Sequence, residues 1–309
     1  MMEDKRLKSL IIGYGSIGRR HETVLNQLGS ETAIVSAHAE VAYRSLEAGL
    51  EHFQPDYVVI ANRTSEHMET LDRLEVAGFS GPCLVEKPLS GECPKSFSDY
   101  SFRLRVGYVL RFHPLFIAAA DVLQGQSIYS IHAYAGQYLP DWRPDADYRR
   151  SYSSHKEQGG GVLRDLSHEL DYLQALAGTW RKVAALGGHF SELEINSDDA
   201  FGLLFETEHC PVINCQVNYL DRNLRRDCSI QYAGGTLHLD FIGNRLILNG
   251  TEKLFQVERN DLFRAMHLSA LDQESKEGCT LDEGMDTLTL IEAAERSSNE
   301  HTWVCRINQ

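Results

Sequence analysis

Apolar positions follow two rhythms along this 309-residue chain. In the first third, short apolar runs alternate with stretches at helical spacing. Residues 7–12 read as a short buried strand, and a glycine-rich loop follows at once at 13–18. Ile17, Val24, Leu25 and Leu28 then recur at helical intervals, and Gly29 stands where a C-cap belongs. Further strands are predicted at 32–35, 57–61 and 82–85. A short helix is predicted at 45–53, and a longer one at 65–77 carries Met68, Leu71 and Leu74 and closes at Gly78. This alternation specifies an α/β domain with a parallel sheet and right-handed crossovers. Between Ser36 and Ser45 the chain is too short for a full second crossover helix, so the layout is trimmed there.

Beyond Phe112-His113-Pro114 the rhythm changes. A helix is predicted at 115–123, and strand patterns then dominate at 128–134, 200–205, 212–219, 229–232, 236–241 and 245–248. Several alternate apolar with polar residues, as in a sheet with one face covered. Helices interrupt at 165–177 and 282–298. The expected division is an α/β domain over residues 1–112 and an α+β domain over 113–309.

Composition narrows the function classes. Hydrophobic residues at 42% and charged residues at 24% describe an ordinary globular protein. A net charge of −14 argues against a nucleic-acid partner, which would need clustered Lys and Arg. The seven cysteines (Cys83, Cys93, Cys210, Cys215, Cys228, Cys279, Cys305) are scattered without C-x-x-C spacing, so no metal site or disulfide framework is expected. No apolar run approaches the ~18–20 residues that span a bilayer. A cytoplasmic setting is the expectation, with no membrane partner.

The loop Gly13-Tyr14-Gly15-Ser16-Ile17-Gly18 lies between a buried strand and an amphipathic helix, the context in which G-x-G-x-x-G binds a dinucleotide. Gly13 permits the tight turn, Gly15 admits the pyrophosphate, and Gly18 permits close helix–strand packing, with the phosphates at the helix N-terminus. An acidic residue at the end of the second strand would hold the adenosine ribose, but the chain offers Ser36-Ala37-His38 there, with Glu40 late. Ser36, with His38 or Arg44, suits a 2′-phosphate, which favours NADP over NAD; the alternative is that Glu40 holds the ribose hydroxyl. A second candidate is Glu86-Lys87-Pro88 at the end of the strand 82–85. Lysine there points into the crevice where ligands of parallel sheets bind, and desolvation suits it to acid–base work. Taken alone, a Lys-Pro at a strand end also reads as an exposed turn. The stretch from Tyr138 to Tyr152, with Trp142, Arg143, Arg149 and Arg150, supplies aromatic faces for sugar rings and planar forks for acidic groups. Tyr138, Trp142, Arg149 and Tyr152 are therefore substrate-binding candidates, as is Arg111. The competing reading is a loop packed on another subunit, with Arg111 pinning the domains.

These motifs, taken in order, resemble the Gfo/Idh/MocA family of oxidoreductases. The matches are the glycine loop; Ile60-Ala61-Asn62-Arg63-Thr64-Ser65-Glu66-His67; Val85-Glu86-Lys87-Pro88-Leu89; residues 106–114; and Gly159-Gly160-Gly161 through His168 to Asp171. The resemblance implies an N-terminal Rossmann domain, then an α+β domain with a large open, mostly antiparallel sheet through which homodimers or homotetramers form. It implies NAD(P)-dependent hydride transfer at a secondary alcohol or ketone of a sugar, cyclitol or nucleotide-sugar lying between the domains. Lys87 matches the family's catalytic lysine and His168 its acid–base histidine, both also touching substrate. Asn62, Thr64, His67, Glu86 and Lys87 fall in cofactor-lining segments. The family's usual carboxylate position holds Arg164, while Asp165 stands three residues before His168. Asp165 is thus either a catalytic and substrate-binding group or a helix cap. Asn62-Arg63 replaces the more usual Thr-Pro. The aromatic–arginine stretch is similar to that of members linked to bacterial surface sugars, which favours a nucleotide-sugar or acidic sugar. A cyclitol dehydrogenase and a non-catalytic NAD(P) sensor are the alternatives.

Overall fold

The buried run at the N-terminus becomes strand β1 (Lys8–Ile12), with β2 (Glu31–Val35), β3 (Tyr57–Ile60), β4 (Cys83–Val85) and β5 (Leu104–Val106) beside it. These bounds come from a computed structural model that describes residues 6–37, 39–94 and 99–307. Among them the five strands form one parallel sheet in the order β2-β1-β3-β4-β5. Ile12 pairs with both Val35 and Ile60, and Val85 with both Ile60 and Val106, so the carboxyl ends of all five strands finish level. Backbone bonds from Gly13 N to Val35 O (2.9 Å), Ala61 N to Ile12 O (2.7 Å) and Glu86 N to Ile60 O (2.9 Å) lock the chain where it leaves that edge. The predicted glycine loop and Glu-Lys-Pro turn therefore emerge at the same edge, one on each side of β3.

Helices Ser16–Gln27, Leu46–Phe53 and His67–Val76 connect these strands. Among the described residues between Val35 and Leu46 there is no second long crossover helix, as the short spacing predicts. The chain separates into two compact units. The first is Met1–Ser90, Pro94–Phe112 and Glu258–Asp282; the second is Gly91–Cys93, His113–Val257 and Glu283–Gln309. The first unit is thus discontinuous. Its late segment contributes helix Asp261–Leu271, whose Phe263, Met266 and Ala270 join a core with Ile11, Val59, Leu84, Val109 and Phe112. Each such buried side chain stabilises the unit by ~1.5–3 kcal/mol. The amphipathic pattern of this helix is short and lies among strand patterns, and the sequence reading did not resolve it.

The second unit is built on β6 (Ile128–Gly136), β7 (Trp180–Gly188), β8 (Ala200–Thr207), β9 (Ile213–Asn218), β10 (Arg225–Tyr232), β11 (Gly235–Asp240), β12 (Arg245–Leu248), β13 (Thr251–Leu254) and β14 (Val304–Cys305). Among the described residues they form one nine-stranded sheet, β13-β12-β11-β10-β6-β9-β8-β7-β14. Only the β6–β9 pair is parallel. Alternation is strict in the centre: Phe201, Leu203 and Phe205 are buried while Gly202 and Leu204 are exposed, and Ile213, Cys215 and Val217 are buried while Asn214 and Gln216 are exposed. Helices Pro114–Leu123 and His168–Ala177 cover the buried face, and Ser297 of helix Leu281–Glu300 accepts from Ala185 N at 2.9 Å. The architecture is therefore the expected Rossmann unit plus an α+β unit on a large, mostly antiparallel sheet. The helix predicted at 165–177 is broken in two, Val162–Asp165 and His168–Ala177, with Gly161 and Ser167 in the cap positions.

Candidate functional site

In the first unit, close packing specifies the glycine loop. Gly13 has φ +99°, and a Cβ there would lie 2.4 Å from Ala61 O; a Cβ on Gly18 would lie 2.2 Å from Gly13 O. Both glycines are therefore required by the protein itself. Gly15 is different. Its φ of −76° suits any residue, and a Cβ there would meet nothing within 4 Å. The surface left open at Gly15 lies at the N-cap of helix Ser16–Gln27, whose first turn carries no acidic residue. That is the cradle an anionic phosphate needs. Ser16 and Ile17 open the helix, and Tyr14 folds back over it, donating to Glu22 Oε2 at 2.8 Å beneath the Arg19 guanidinium.

At the end of β2, Ser36 N donates to Tyr43 O at 3.1 Å, and Arg44 Nη1 donates to Ala37 O at 3.1 Å, so a guanidinium folds onto this loop. His38 lies outside the described residues. At the end of β3, Asn62 donates to Thr70 Oγ1 at 3.0 Å, and Thr64 is buried in the turn that follows. His67 Nδ1 lies 3.1 Å from Pro88 O. A carbonyl only accepts, so Nδ1 carries the proton and Nε2 is left an acceptor. Burial holds this imidazole below its ordinary pKa, hence neutral. Asn62 Oδ1 and His67 Nε2 are buried without a hydrogen-bond partner among the described residues. Two orphaned acceptors beside an open phosphate cradle fit a dinucleotide, whose ribose hydroxyls and carboxamide are donors. At the end of β4, Glu86 is buried, its Oε2 accepts from Lys87 N at 3.2 Å, and the Lys87–Pro88 bond is cis. Arg111, expected near substrate, is buried in the first unit and donates to Gly278 O at 3.4 Å.

In the second unit the structure gathers a different set. Asp165 is buried, with Oδ1 accepting from Tyr152 OH at 2.5 Å and Oδ2 from Tyr219 OH at 2.6 Å. Trp142 meets Tyr219 edge-on at 5.2 Å. Tyr152, Trp142 and Asp165 are thus brought together around Tyr219. Arg164 turns the other way, into a buried ion pair with Glu295 and a bond from Nε to Gly91 O at 3.0 Å. The position where the family usually carries a carboxylate is therefore structural here. His168 opens helix His168–Ala177, three residues beyond Asp165. The outer residues of the loop are engaged elsewhere. Arg222 lies 3.4 Å above the Tyr138 ring, and Arg149 spends its fork on Asp147 (2.8 and 3.1 Å) and faces Glu194.

Residues 116–251 match the GFO/IDH/MocA C-terminal domain. Through this segment of its second unit the chain is similar to the Gfo/Idh/MocA family. An inositol 2-dehydrogenase of Rhizobium meliloti (strain 1021) is 25% identical over 187 residues, which cover 54% of each protein. The chain thus spans about half the length of the curated relative it matches. Two solved structures share the fold at lower identity. The WlbA dehydrogenase from Bordetella pertussis, in complex with NADH and UDP-GlcNAcA, superposes with a TM-score of 0.80 at 18% identity, covering 99% of this chain and 100% of that one. A myo-inositol dehydrogenase from Corynebacterium glutamicum ATCC 13032 gives 0.79 at 20%, covering 98% and 100%. Among the described residues no helix is long and apolar enough to cross a membrane, and no cluster of His, Cys, Asp or Glu could hold a metal ion.

Proposed function

We propose that this protein transfers a hydride reversibly between a nicotinamide dinucleotide and a secondary alcohol or ketone of a sugar. The observation that carries this reading is the level edge of the parallel sheet, where the open Gly15 cradle and the Glu86-Lys87-Pro88 turn leave β1 and β4, the two strands that flank β3. The dinucleotide supplies the hydride chemistry. The chain's own residues bind it and handle protons. Gly13 to Gly18 hold the phosphates, and Asn62, Thr64, His67 and Glu86 line the remainder. Lys87 polarises the reacting oxygen and His168 moves the hydroxyl proton. Asp165, held by two tyrosine hydroxyls, orders the aromatic wall formed with Trp142. For the cofactor, NADP is favoured, because Arg44 rather than a carboxylate turns onto the loop after β2. The relatives bound to NADH make the comparison of the two a direct test.

A nucleotide-sugar or acidic sugar is the favoured substrate, as for the WlbA structure with its UDP-sugar. A neutral cyclitol is the second reading. It gains from Arg149, whose fork is engaged by Asp147 instead of facing outward. A cytoplasmic homo-oligomer fits both readings. The outer face of the large sheet carries a groove of about 570 Å³ lined by His132, Leu204, Asn214, Gln216, His301 and Trp303, a surface suited to a second copy. The deciding experiment is fluorescence titration with NADH and NADPH, then turnover over nucleotide-sugars, free sugars and cyclitols. Lys87→Ala is expected to keep dinucleotide affinity within about threefold and to lower turnover at least ~100-fold. Full single-turnover hydride transfer in that variant would remove Lys87 from the chemistry, and tight binding without turnover of any substrate would make the chain a sensor.

A further inference from the structure

Behind the Glu-Lys-Pro turn runs a chain of polar contacts through the apolar interior of the first unit. Glu86 Oε1 lies 2.9 Å from His21 Nε2; His21 Nδ1 lies 3.0 Å from His267 Nε2; and His267 Nδ1 lies 3.0 Å from Tyr57 OH. The residues come from four elements: the helix after the glycine loop, β3, the end of β4, and helix Asp261–Leu271. His21, His267 and Tyr57 are fully buried (0% exposed). Burial and the neighbouring His21 hold His267 well below its ordinary pKa, and burial pushes the Tyr57 phenol well up, so both stay neutral.

Proton counting gives the chain a direction. If His21 carries one ring proton, as His267 does, the two imidazoles and the phenol supply the three protons that the three contacts need. Tyr57 then donates to His267, His267 Nε2–H to His21, and His21 Nε2–H to the Glu86 carboxylate. Run in reverse with the same proton count, the chain requires a protonated Glu86 and strands the Tyr57 O–H without an acceptor among the described residues. The forward order satisfies every group. At its far end the other Glu86 oxygen accepts from the backbone N–H of Lys87 at 3.2 Å.

We propose that Tyr57, His267 and His21 are positioning residues, a one-way hydrogen-bond chain that keeps Glu86 an immobile carboxylate and so fixes the backbone from which Lys87 projects. Its consequence for turnover rests on the reading of Lys87 as the hydride-transfer lysine; its structural part does not. The test has two arms that need no substrate. In long-range ¹H–¹⁵N spectra of the histidine-labelled full chain, His21 and His267 both show the neutral Nε2–H tautomer from pH 6 to 9. An imidazolium, or an Nδ1–H tautomer at either residue, overturns the direction of the chain. In amide hydrogen exchange, His21→Leu removes the donor to Glu86, and Lys87 N–H exchanges at least ~10-fold faster relative to Val58 and Val59 of β3. His21→Gln, which keeps an amide donor near the same place, restores protection. Equal protection of Lys87 in all three proteins overturns the positioning role. If His21→Leu does not fold, His21→Gln and the tautomer spectra carry the test. A third arm reads turnover. kcat falls ~10- to 100-fold in His21→Leu while dinucleotide Kd stays within about threefold. Absence of turnover in the unaltered protein sinks the dehydrogenase reading and leaves the first two arms to decide the chain.

Discussion

Gly15→Ala separates cofactor recognition from folding, because the fold has room for the added methyl and a bound phosphate does not. At φ −76° the backbone accepts alanine without strain, and the new methyl meets nothing of the protein within 4 Å. Replacing glycine reduces the freedom of the unfolded chain by the equivalent of ~0.4–1 kcal/mol, and the poorer capping by alanine at this N-cap position offsets that gain. The same methyl occupies the space through which a phosphate would reach the N-terminal amides of helix Ser16–Gln27. Losing one charge-assisted hydrogen bond there costs about 1.5–3 kcal/mol, or about 10- to 150-fold in Kd. The assay is NADPH and NADH fluorescence titration beside a thermal melt. Expected is a Tm close to the parent's, together with the affinity loss. Gly18→Ala serves as the contrast: its Cβ would lie 2.2 Å from Gly13 O, so that variant loses stability first. Unchanged affinity in a folded Gly15→Ala would refute the placement of the pyrophosphate on this loop. A large fall in Tm would refute the claim that Gly15 is spared for a ligand rather than for packing.

Two further outcomes follow from buried polar groups in the second unit. Glu169 is 0% exposed and pairs with Arg226 Nε at 2.9 Å; Arg226→Met leaves a buried carboxylate without its cation and lowers urea-unfolding stability by ~3–5 kcal/mol. Adding Glu169→Leu to that variant is expected to recover much of the loss. His113 is buried against Phe241, and desolvation lowers its pKa to about 4. Below pH ~6.5 the unfolded chain gains a proton that the folded chain refuses, so this residue's share of stability is present above pH 6.5 and falls by about 2 kcal/mol between pH 7 and 5. His113→Asn, which can still accept from Leu115 N, should show that much less pH dependence over the same interval in chemical unfolding.

The sequence made legible those features whose physical cause is local. β1 to β4 each contain a continuous apolar run of three or four residues with turn signals after it, and the glycine loop declares its geometry through residue type alone. β5 and β14, three and two residues long, exist because a neighbouring strand offers a ladder, and no pattern that short announces it. The split between Arg164 and Asp165 was half legible. Adjacent helical residues point ~100° apart, so only one of the pair could face Tyr152 and Tyr219, but choosing it required coordinates. His21 and His267 were not legible. Each is a lone histidine on a helix, and the partner that explains it lies 246 residues away. The residues of the loop from Tyr138 to Tyr152 divided for a similar reason: Trp142 and Tyr152 found partners in the fold, while Arg149 found Asp147 two residues away.

The discontinuity of the first unit has a bearing on how this protein is born. Helix Asp261–Leu271 supplies Phe263, Met266, Ala270 and His267, yet it leaves the ribosome long after Phe112. At ~5–20 residues per second, the intervening stretch takes on the order of ten seconds to synthesise. During that interval Ile11, Leu84 and Val109 wait without their cover, and Glu86 has His21 but not His267 behind it. A nascent chain halted near residue 112 should therefore present an apolar, unfinished face to chaperones. Excising the dinucleotide-binding half for separate study would need residues 258–282 grafted back by a linker across the gap.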